Sequence, residues 1–239
     1  MIDFNIEKII PLCESFGVTI TPETVRRLNL YGNLLLGWNE KINLTAITEP
    51  EEILYKHFYD CILFFKNSPV PLGASVIDVG TGAGFPGMVL KIVRPDLKVT
   101  LIDSLNKRVV FLNDVIEKLG LTDINAVHMR AEEGAVNPSM REKFDIACAR
   151  AVASMPVLLE YCVPYVKQGG KFISMKGPNV GEEIALCDNA VKLLGVKKPT
   201  VICEKLETGE SRTFVYFEKI SQTPSKYPRN SGKIAKQPL

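Results

Sequence analysis

Val76-Ile-Asp-Val-Gly-Thr-Gly-Ala-Gly-Phe-Pro-Gly87 is the segment of this 239-residue chain that says most about its architecture. The apolar start predicts a buried parallel strand, and the glycines predict a tight turn that lets a ligand lie against bare backbone. A second apolar run, 99–102, follows and ends in Asp103. A glycine-rich loop after one strand and an acid after the next strand together predict a nucleoside-binding site.

Two nucleosides fit this pattern, and the residues alone leave both open. The spacing Gly-x-Gly-x-x-Gly that ends at Gly87 satisfies the dinucleotide fingerprint, with Asp103 placed to hold a ribose. The longer pattern Asp-x-Gly-x-Gly-x-Gly, expected for S-adenosylmethionine, is supplied by Asp78, Gly80, Gly82 and Gly84. Asp78 would repel a pyrophosphate at the following helix N-terminus but attract the ammonium and sulfonium of S-adenosylmethionine. The pattern therefore favours the methyl donor over a dinucleotide, and over a turn that binds nothing.

From residue 74 onwards, segments typical of strands alternate with helical segments. The predicted strands are 75–79, 98–102, 124–128, 144–149, 171–175, 198–204 and 213–219. The predicted helices between them are 86–93, 105–119, 154–166 and 179–194. This alternation predicts parallel pairing with helices on both faces, and the short connection at 207–211 predicts a closing hairpin. We therefore expect an α/β fold whose seven-stranded, mostly parallel sheet with an antiparallel edge strand resembles the class I (Rossmann-like) S-adenosylmethionine-dependent methyltransferase sheet.

Three regions are predicted along the chain. Residues 1–70 read as a helical N-terminal extension with a net charge of −3, in which Thr21 is a candidate N-cap. Residues 71–220 hold the predicted methyltransferase domain, with a net charge of +1. Residues 221–239 carry a net charge of +4 and are rich in Pro, Lys and Ser, so we expect a basic, flexible tail. A polyanionic partner would meet the tail and the Lys/Arg residues around the pocket.

Whole-chain features exclude several classes of protein. No apolar run approaches the length needed to span a bilayer, and the acidic start is unlike a signal peptide, so we expect a cytoplasmic protein. The six cysteines form no Cys-x-x-Cys pair and are expected to be small core residues. Only His57 and His128 accompany them, so no metal site is expected.

In doubly wound sheets, ligands bind beyond the carboxyl ends of the strands, and this rule selects further candidates. Asp103 follows the second strand and could accept hydrogen bonds from both ribose hydroxyls or cap the next helix. Ala131 and Glu132 follow the third strand, where an acid or a backbone amide can read the adenine edge. Arg150 and Lys176 follow the fourth and fifth strands, where a cation can steer a substrate into position or simply face solvent.

The tip after the fourth strand gives a hint about the acceptor atom. It carries neither the Asn-Pro-Pro-Tyr motif of exocyclic-amine methylation nor the Pro-Cys motif of carbon methylation, and Cys148 is expected to lie in the core. A lone arginine suits an atom that already has a free lone pair, such as N7 of guanine, which needs only in-line placement. His57 and Asp60 suggest acid–base chemistry by their spacing, but a local hydrogen bond on a helix is the favoured interpretation.

Several linked motifs together resemble the bacterial small-subunit (16S) ribosomal RNA guanine-N7 methyltransferases, also called glucose-inhibited division protein B. The matching segments are Trp38–Thr45, Lys56–Asp60, Asp78–Gly87, Asp103–Arg108, Arg130–Glu133, Arg150-Ala151 and Lys176-Gly177. The hairpin and residues 226–229 match more loosely. Lys56 stands where arginine is common and Cys61 where serine is usual, and both departures leave the cofactor motifs untouched.

The resemblance implies both substrates and several site residues. It implies S-adenosylmethionine as donor, N7 of one guanine in 16S ribosomal RNA as acceptor, and the RNA or the small ribosomal subunit as partner. Separately, we expect a monomer. The family's cofactor contacts carry over to Gly80, Phe85, Ala131, Glu132 and Arg150. It also implies that Asn39, Asn43 and His57 help close the site.

Other functions are compatible with the same residues. A methyltransferase could act on a small molecule or a protein instead of RNA. The glycine loop could also serve a dinucleotide-binding oxidoreductase, or remain as an unused pocket in a non-catalytic RNA-binding module. The favoured hypothesis is methyl transfer by positioning without a general base, with Arg150 and Lys176 steering the RNA.

Overall fold

A computed structural model describes residues 1–66, 68–150 and 153–239. Its centre is one sheet of seven strands: β1 Ser75–Val79, β2 Lys98–Asp103, β3 Ile124–His128, β4 Phe144–Arg150, β5 Val166–Lys176, β6 Thr200–Lys205 and β7 Ser211–Glu218. The strand order is β3-β2-β1-β4-β5-β7-β6. Strands β1 to β5 pair in parallel, and β7 pairs antiparallel with both β5 and β6. The predicted α/β architecture is confirmed, and its antiparallel hairpin lies at one edge with β7 inserted beside β5.

The order in which successive strands are added to the sheet reverses between β1 and β4. Strands β2 and β3 lie on one side of β1, whereas β4 and β5 lie on the other. The crevice beyond the carboxyl ends of β1 and β4 is therefore the topological switch point, where such sheets bind ligands. The glycine loop after β1 and Arg150 at the end of β4 both lie there.

Helices cover both faces of the sheet and form most of the N-terminal region. The α-helices are α1 Ile10–Glu14, α2 Pro22–Asn39, α3 Pro50–Ile53, α4 Asp60–Ile62, α5 Gly87–Val93, α6 Asn106–Lys118, α7 Ala131–Val136, α8 Met155–Cys162, α9 Gly181–Ala185, α10 Asp188–Leu194 and α11 Ser231–Lys236. Tighter 3₁₀ turns span Ile6–Ile9, Leu63–Phe65 and Val163–Tyr165, and a π-helical segment spans Leu54–Tyr59. Helix α2 begins as predicted, because the Thr21 hydroxyl accepts the Thr24 amide at 3.1 Å and Pro22 occupies the first turn.

Alternate residues of each central strand face two different cores. Val76 of β1 belongs to the core under α2, α5 and α6, whereas its neighbour Ile77 belongs to the core under α8 and α10. This is the two-residue period of a strand buried on both faces. The N-terminal helices share the first of these cores with the sheet, since Tyr31, Leu35 and Phe58 are fully buried in it.

Segment 221–239 is folded against the domain in the structure. Tyr227 and Ile234 are buried, and the Arg141 guanidinium donates to the carbonyl oxygens of Thr223 and Tyr227 at 2.7 and 2.8 Å. Composition predicts a flexible tail here because it carries no information about contacts with residues far away in the sequence. The flexibility itself stays a prediction. Among the helices of the described residues, none is both long and apolar enough to cross a membrane.

A candidate nucleoside and methyl-acceptor site at the carboxyl ends of the strands

The glycine loop is held against the end of β2 by its own backbone. The amides of Gly80 and Thr81 both donate to the Ile102 carbonyl, at 2.9 and 3.0 Å. Gly82 has a φ of +61°, in the left-handed region that favours glycine. Gly87 begins α5 so close to the sheet that a Cβ atom there would lie 2.4 Å from Leu101 Cδ2. The loop therefore needs glycine for its turn and for helix–strand packing.

Asp78 supports the loop from below. Its Oδ2 atom accepts the Thr81 hydroxyl at 2.7 Å and the Gly87 amide at 2.8 Å, and the residue has no exposed surface. Burial raises the pKa of Asp78 to about 6. The carboxylate therefore accepts the hydrogen bond of the first amide of α5. A dinucleotide would have to place a phosphate at this amide. This geometry disfavours the dinucleotide interpretation.

Three adjoining cavities form a trench along this edge of the sheet, and we name the first two after the donor and the adenosine that the sequence motifs predict there. The donor cavity, of about 360 Å³, is lined by Gly80, Gly82, Phe85, Asp103 and Arg150 among others. The adenosine cavity, of about 180 Å³, shares Gly80, Asp103 and Ser104 with it and adds Ala131, Glu132 and Tyr161. The cationic cavity, of about 420 Å³, shares His57 and Arg150 with the donor cavity and adds Lys56, Lys176 and Arg212. Most of the predicted site residues are therefore brought together.

Asp78 and Gly84, both described residues, line none of these three cavities. A Cβ atom on Gly84 would lie 2.7 Å from the Tyr31 hydroxyl, so this glycine serves close packing. The sequence predicts that Asp78 attracts the donor's ammonium and sulfonium, and the structure turns its carboxylate into the loop. The predicted attraction can act only through the loop, because Asp78 is completely enclosed.

Asp103 lies at the junction of the donor and adenosine cavities. Its Oδ2 atom accepts the Gly82 amide at 2.9 Å, and Oδ1 accepts the Leu105 amide at 2.9 Å. Arg108 Nη1 lies 3.3 Å from Oδ2. A carboxylate has about four acceptor positions and these contacts take three, so one position remains for a hydroxyl group in the trench. Asp103 does not cap α6, because the N-cap position is Leu105 and no side chain bonds the first turn of that helix. It bonds the Leu105 amide and lines both cavities, and its ribose role stays a prediction.

The adenosine cavity has a well-supported wall. Ala131 begins α7, and its carbonyl accepts the Tyr165 hydroxyl at 2.6 Å. Glu132 lies in the first turn of the same helix and lines the cavity beside Tyr161 and Met129. An aromatic ring, a thioether and an acid provide stacking surface and a hydrogen-bond acceptor, which suits a purine. Both residues lie where the sequence predicts them.

Phe85, His57 and Arg150 form a stacked cluster at the other end of the donor cavity. The rings of His57 and Phe85 are stacked with centroids 4.4 Å apart, and the Arg150 guanidinium lies 4.8 Å from the Phe85 centroid. Arg150 Nη1 donates to Asp60 Oδ2 at 3.0 Å, and Nη2 lies 3.2 Å from His57 Nδ1. His57 and Asp60 therefore act through Arg150, which fixes its guanidinium between the donor cavity and the cationic cavity.

His57 is held as a neutral ring. The Nδ1 atom lies 3.2 Å from Arg150 Nη2 and 3.2 Å from the Lys56 carbonyl. Because that carbonyl already accepts from Arg150 Nη1, we assign the lone pair to Nδ1 and the proton to Nε2, which then donates to Thr45 Oγ1 at 2.9 Å. Burial and the nearby Arg150 charge lower the pKa of His57 to about 3. A ring with so low a pKa carries no proton to donate as an acid at physiological pH, and it is a weak base whose lone pair is already bonded to Arg150. The acid–base hypothesis for the His57/Asp60 pair is therefore not supported by this geometry.

The cationic cavity concentrates positive charge around one buried carboxylate. Lys56, Arg150, Lys176 and Arg212 line it, and Asp60 lies between Arg150 at 3.0 Å and Arg212 at 3.3 Å. Lys176 Nζ donates to Glu183 Oε2 at 2.8 Å, and Lys56 pairs with Glu52 and Glu210. Ile47 and Met175 add apolar walls. The mixture suits an anionic ligand that also carries a flat apolar face.

Sequence reasoning missed three residues of this site. Tyr31 of α2 is fully buried and its hydroxyl donates to the Ala83 carbonyl of the glycine loop. Thr45 holds His57, and Arg212 at the start of β7 completes the cationic cavity. No motif marks Tyr31 or Arg212, whereas Thr45 ends the family-like segment Trp38–Thr45 but receives no role from the sequence.

Other predicted residues have less direct roles. Asn39 Oδ1 accepts the amides of Leu44 and Thr45 at 2.8 and 3.0 Å, which shapes the loop that borders the donor cavity, whereas Asn43 is exposed. Cys148 is buried within β4, as expected for a core residue. Ala151, which belongs to the predicted tip after β4, lies outside the described residues.

Fold and site together define a class I, Rossmann-like methyltransferase. The solved structure of a SAM dependent methyltransferase from Aquifex aeolicus matches with a TM-score of 0.51 at 19% identity, over 76% of this chain and 97% of that one. The family model for rRNA small subunit methyltransferase G matches residues 24–214, and the chain belongs to that family.

Curated relatives match this chain over nearly its full length. The ribosomal RNA small subunit methyltransferase G of Clostridium perfringens (strain 13 / Type A) is 50% identical over 228 residues, which cover 95% of each chain. The protein of the same name from Acetivibrio thermocellus is 51% identical over 229 residues, or 94% of this chain and 92% of the relative. The family resemblance predicted from the sequence is confirmed.

Proposed function

We propose that this protein transfers a methyl group from S-adenosylmethionine to N7 of a guanine in 16S ribosomal RNA. The single observation that carries the proposal is that His57 and Arg150 line both the donor cavity and the cationic cavity. A donor on one side and an RNA base on the other would then meet at one shared wall. The names of the family and of its relatives support ribosomal RNA as the acceptor.

The trench fits S-adenosylmethionine by shape and chemistry. Asp103 would hold the ribose diol, Ala131 and Glu132 would border the adenine, and the loop at Gly80–Gly82 would border the methionine part. When bound, S-adenosylmethionine supplies a methyl carbon activated by its sulfonium, and the thioether S-adenosylhomocysteine remains. The Asp78 carboxylate accepts the first amide of α5, which disfavours the phosphate that a dinucleotide would bring there.

The chain's own residues would act by positioning. Phe85 and the stacked His57 ring offer a flat wall beside the reacting atoms, and Arg150 is fixed by Asp60, His57 and the Lys56 carbonyl. Guanine N7 has a lone pair in the plane of the base, so no proton has to be removed before it attacks. A neutral His57 whose two ring nitrogens are already bonded matches a reaction that needs no base.

The cationic cavity would receive the RNA. Arg212, Lys176 and Arg150 can meet phosphate oxygens or base edges, and Met175 and Ile47 can pack against the base. Action as a monomer is part of the proposal. A ribosomal RNA substrate supports the small subunit or its RNA as partner and the cytoplasm as the place of action.

The test uses 16S ribosomal RNA that lacks the modification. Such RNA is incubated with the protein and isotope-labelled S-adenosylmethionine, digested, and analysed by mass spectrometry. We expect label in 7-methylguanosine, and none when the RNA comes from cells that already carry the mark. Label on another atom, in proteins or in nucleic-acid-free metabolites would overturn the acceptor assignment. RNA binding without donor binding would indicate a non-catalytic module, and binding of a dinucleotide by fluorescence titration would indicate an oxidoreductase.

A further inference from the structure

Segment 221–239 reaches the adenosine cavity from outside the sheet. Ser231, the first residue of α11, lines this cavity together with Arg130, Glu132 and Tyr161. The family match ends at residue 214, so the segment lies beyond it. A residue from this segment therefore forms part of the wall of the adenosine cavity, at a place that the residues of the sequence motifs do not cover.

A buried ion pair fixes the position of Ser231. Glu160 of α8 has no exposed surface, and its Oε1 atom accepts both the backbone amide and Nε of Arg229 at 2.8 Å. Its Oε2 atom accepts Arg229 Nη2 at 2.6 Å. This two-pronged pairing is directional, because a planar guanidinium matches a carboxylate in one orientation. Tyr161, the next residue of α8, lies in the cavity wall, so the pair joins the two halves of that wall.

Further contacts hold the segment on both sides of the pair. Arg229 Nη2 also donates to the Gln237 carbonyl at 2.9 Å, and Asn230 caps α11 by accepting the Lys233 amide at 2.9 Å. Ile234 is completely buried. Removal of Arg229 would leave the enclosed carboxylate of Glu160 without its guanidinium, which is strongly unfavourable. The pair therefore determines where the segment lies more strongly than its net positive charge does.

We propose that segment 221–239 is a wall of the adenosine end of the donor pocket, with Glu160 and Arg229 as the positioning pair that sets donor affinity. The inference rests on the proposed function, because it assigns the adenosine of S-adenosylmethionine to this cavity. Neither Glu160 nor Arg229 lines the cationic cavity, so the pair is expected to act on donor binding.

The direct test places a bulky ring in the cavity. Ser231→Trp is compared with Lys236→Trp, which changes an exposed residue of the same helix. Affinities for S-adenosylhomocysteine and 5′-methylthioadenosine are measured by calorimetry. We expect Ser231→Trp to weaken both ligands by a similar factor of about ten or more, since both carry the adenosine, and Lys236→Trp to weaken neither. Wild-type affinity in Ser231→Trp, or loss confined to S-adenosylhomocysteine, would overturn the inference.

Arg229→Ala tests the positioning pair. We expect its KM for S-adenosylmethionine to rise about tenfold while kcat at saturating donor and KM for RNA stay near wild type. A lower melting temperature with unchanged donor affinity would show a merely structural pair and overturn this role. If Arg229→Ala does not fold, Ser231→Trp still decides, because it leaves the pair intact. A wild-type protein that binds neither nucleoside would instead overturn the proposed function itself.

Discussion

Asp103 accepts a hydrogen bond from the Gly82 amide at 2.9 Å, which joins the end of β2 directly to the glycine loop after β1. The acid therefore does two things at once: it fixes the turn of the loop and leaves one acceptor position for a ligand in the trench. Loop and acid are separate motifs in the sequence, and in the fold they form one unit. The contact makes Asp103 the residue whose loss should affect donor binding most directly.

Asp103→Ala should weaken S-adenosylhomocysteine binding by about 1–3 kcal/mol, the usual loss for a charged hydrogen-bond partner. Asp96→Ala is the matched control, because Asp96 also accepts a backbone amide, from Gly73 at 2.8 Å, and also pairs with an arginine, Arg94. Asp96 lies before β2, at the opposite edge of the sheet. Calorimetry should find unchanged affinity in the control, and unchanged affinity in Asp103→Ala would remove this residue from the donor site.

Tyr31→Phe should loosen the glycine loop without changing its sequence. The substitution removes the hydroxyl that donates to the buried Ala83 carbonyl, and an unsatisfied buried carbonyl costs about 1–3 kcal/mol. We expect a loss of that order in the free energy of unfolding and a weaker affinity for S-adenosylhomocysteine. Tyr55→Phe, at a half-buried position of the N-terminal helices, is the control. Equal stability and equal affinity in both variants would show that Tyr31 acts by ring packing alone.

The sequence predicts the parts of this fold that are governed by local pattern. The apolar runs place β1 to β4 to within a residue of their observed ends, because buried parallel strands are continuous apolar segments. β5 begins at Val166, five residues earlier than predicted, since Gln168-Gly169-Gly170 is typical of a turn, and its pairing with β4 is irregular there. The predicted helix at 179–194 is divided into α9 and α10 at Leu186 and Cys187.

Residues defined by distant contacts could not be found in the same way. Tyr31 meets Ala83 across 52 residues, and Arg229 meets Glu160 across 69. Neither tyrosine nor an isolated arginine carries a pattern that names its partner. Asp78 shows the opposite case: its motif is recognisable from the sequence, but only the fold reveals that its carboxylate bonds Thr81 and Gly87 below the loop.

Arg212→Gln should weaken RNA binding and leave donor binding unchanged. Arg212 lines the cationic cavity but not the donor cavity, and a lost phosphate contact should also reduce the salt dependence of RNA affinity by about one ion. Lys197→Gln is the control, since Lys197 pairs with Glu218 at the far end of β7. Filter binding at several salt concentrations measures both variants. An unchanged salt slope in Arg212→Gln would place the RNA elsewhere.

His57→Gln should remove the part of the pH dependence of the free energy of unfolding that comes from His57. The pKa of His57 is lowered from 6.5 to about 3, so the native state binds fewer protons than the unfolded chain between these values. The stability linked to His57 is therefore fully present above about pH 6.5 and is lost as the pH falls toward 3, with a slope of up to about 1.4 kcal/mol per pH unit. Glutamine can still accept from Arg150 and donate to Thr45, but it does not titrate. Urea unfolding at a series of pH values measures the free energy of unfolding of wild type and variant. The difference between these two free energies should shrink as the pH is lowered. A difference that stays constant across this range would mean that His57 is protonated in the native state.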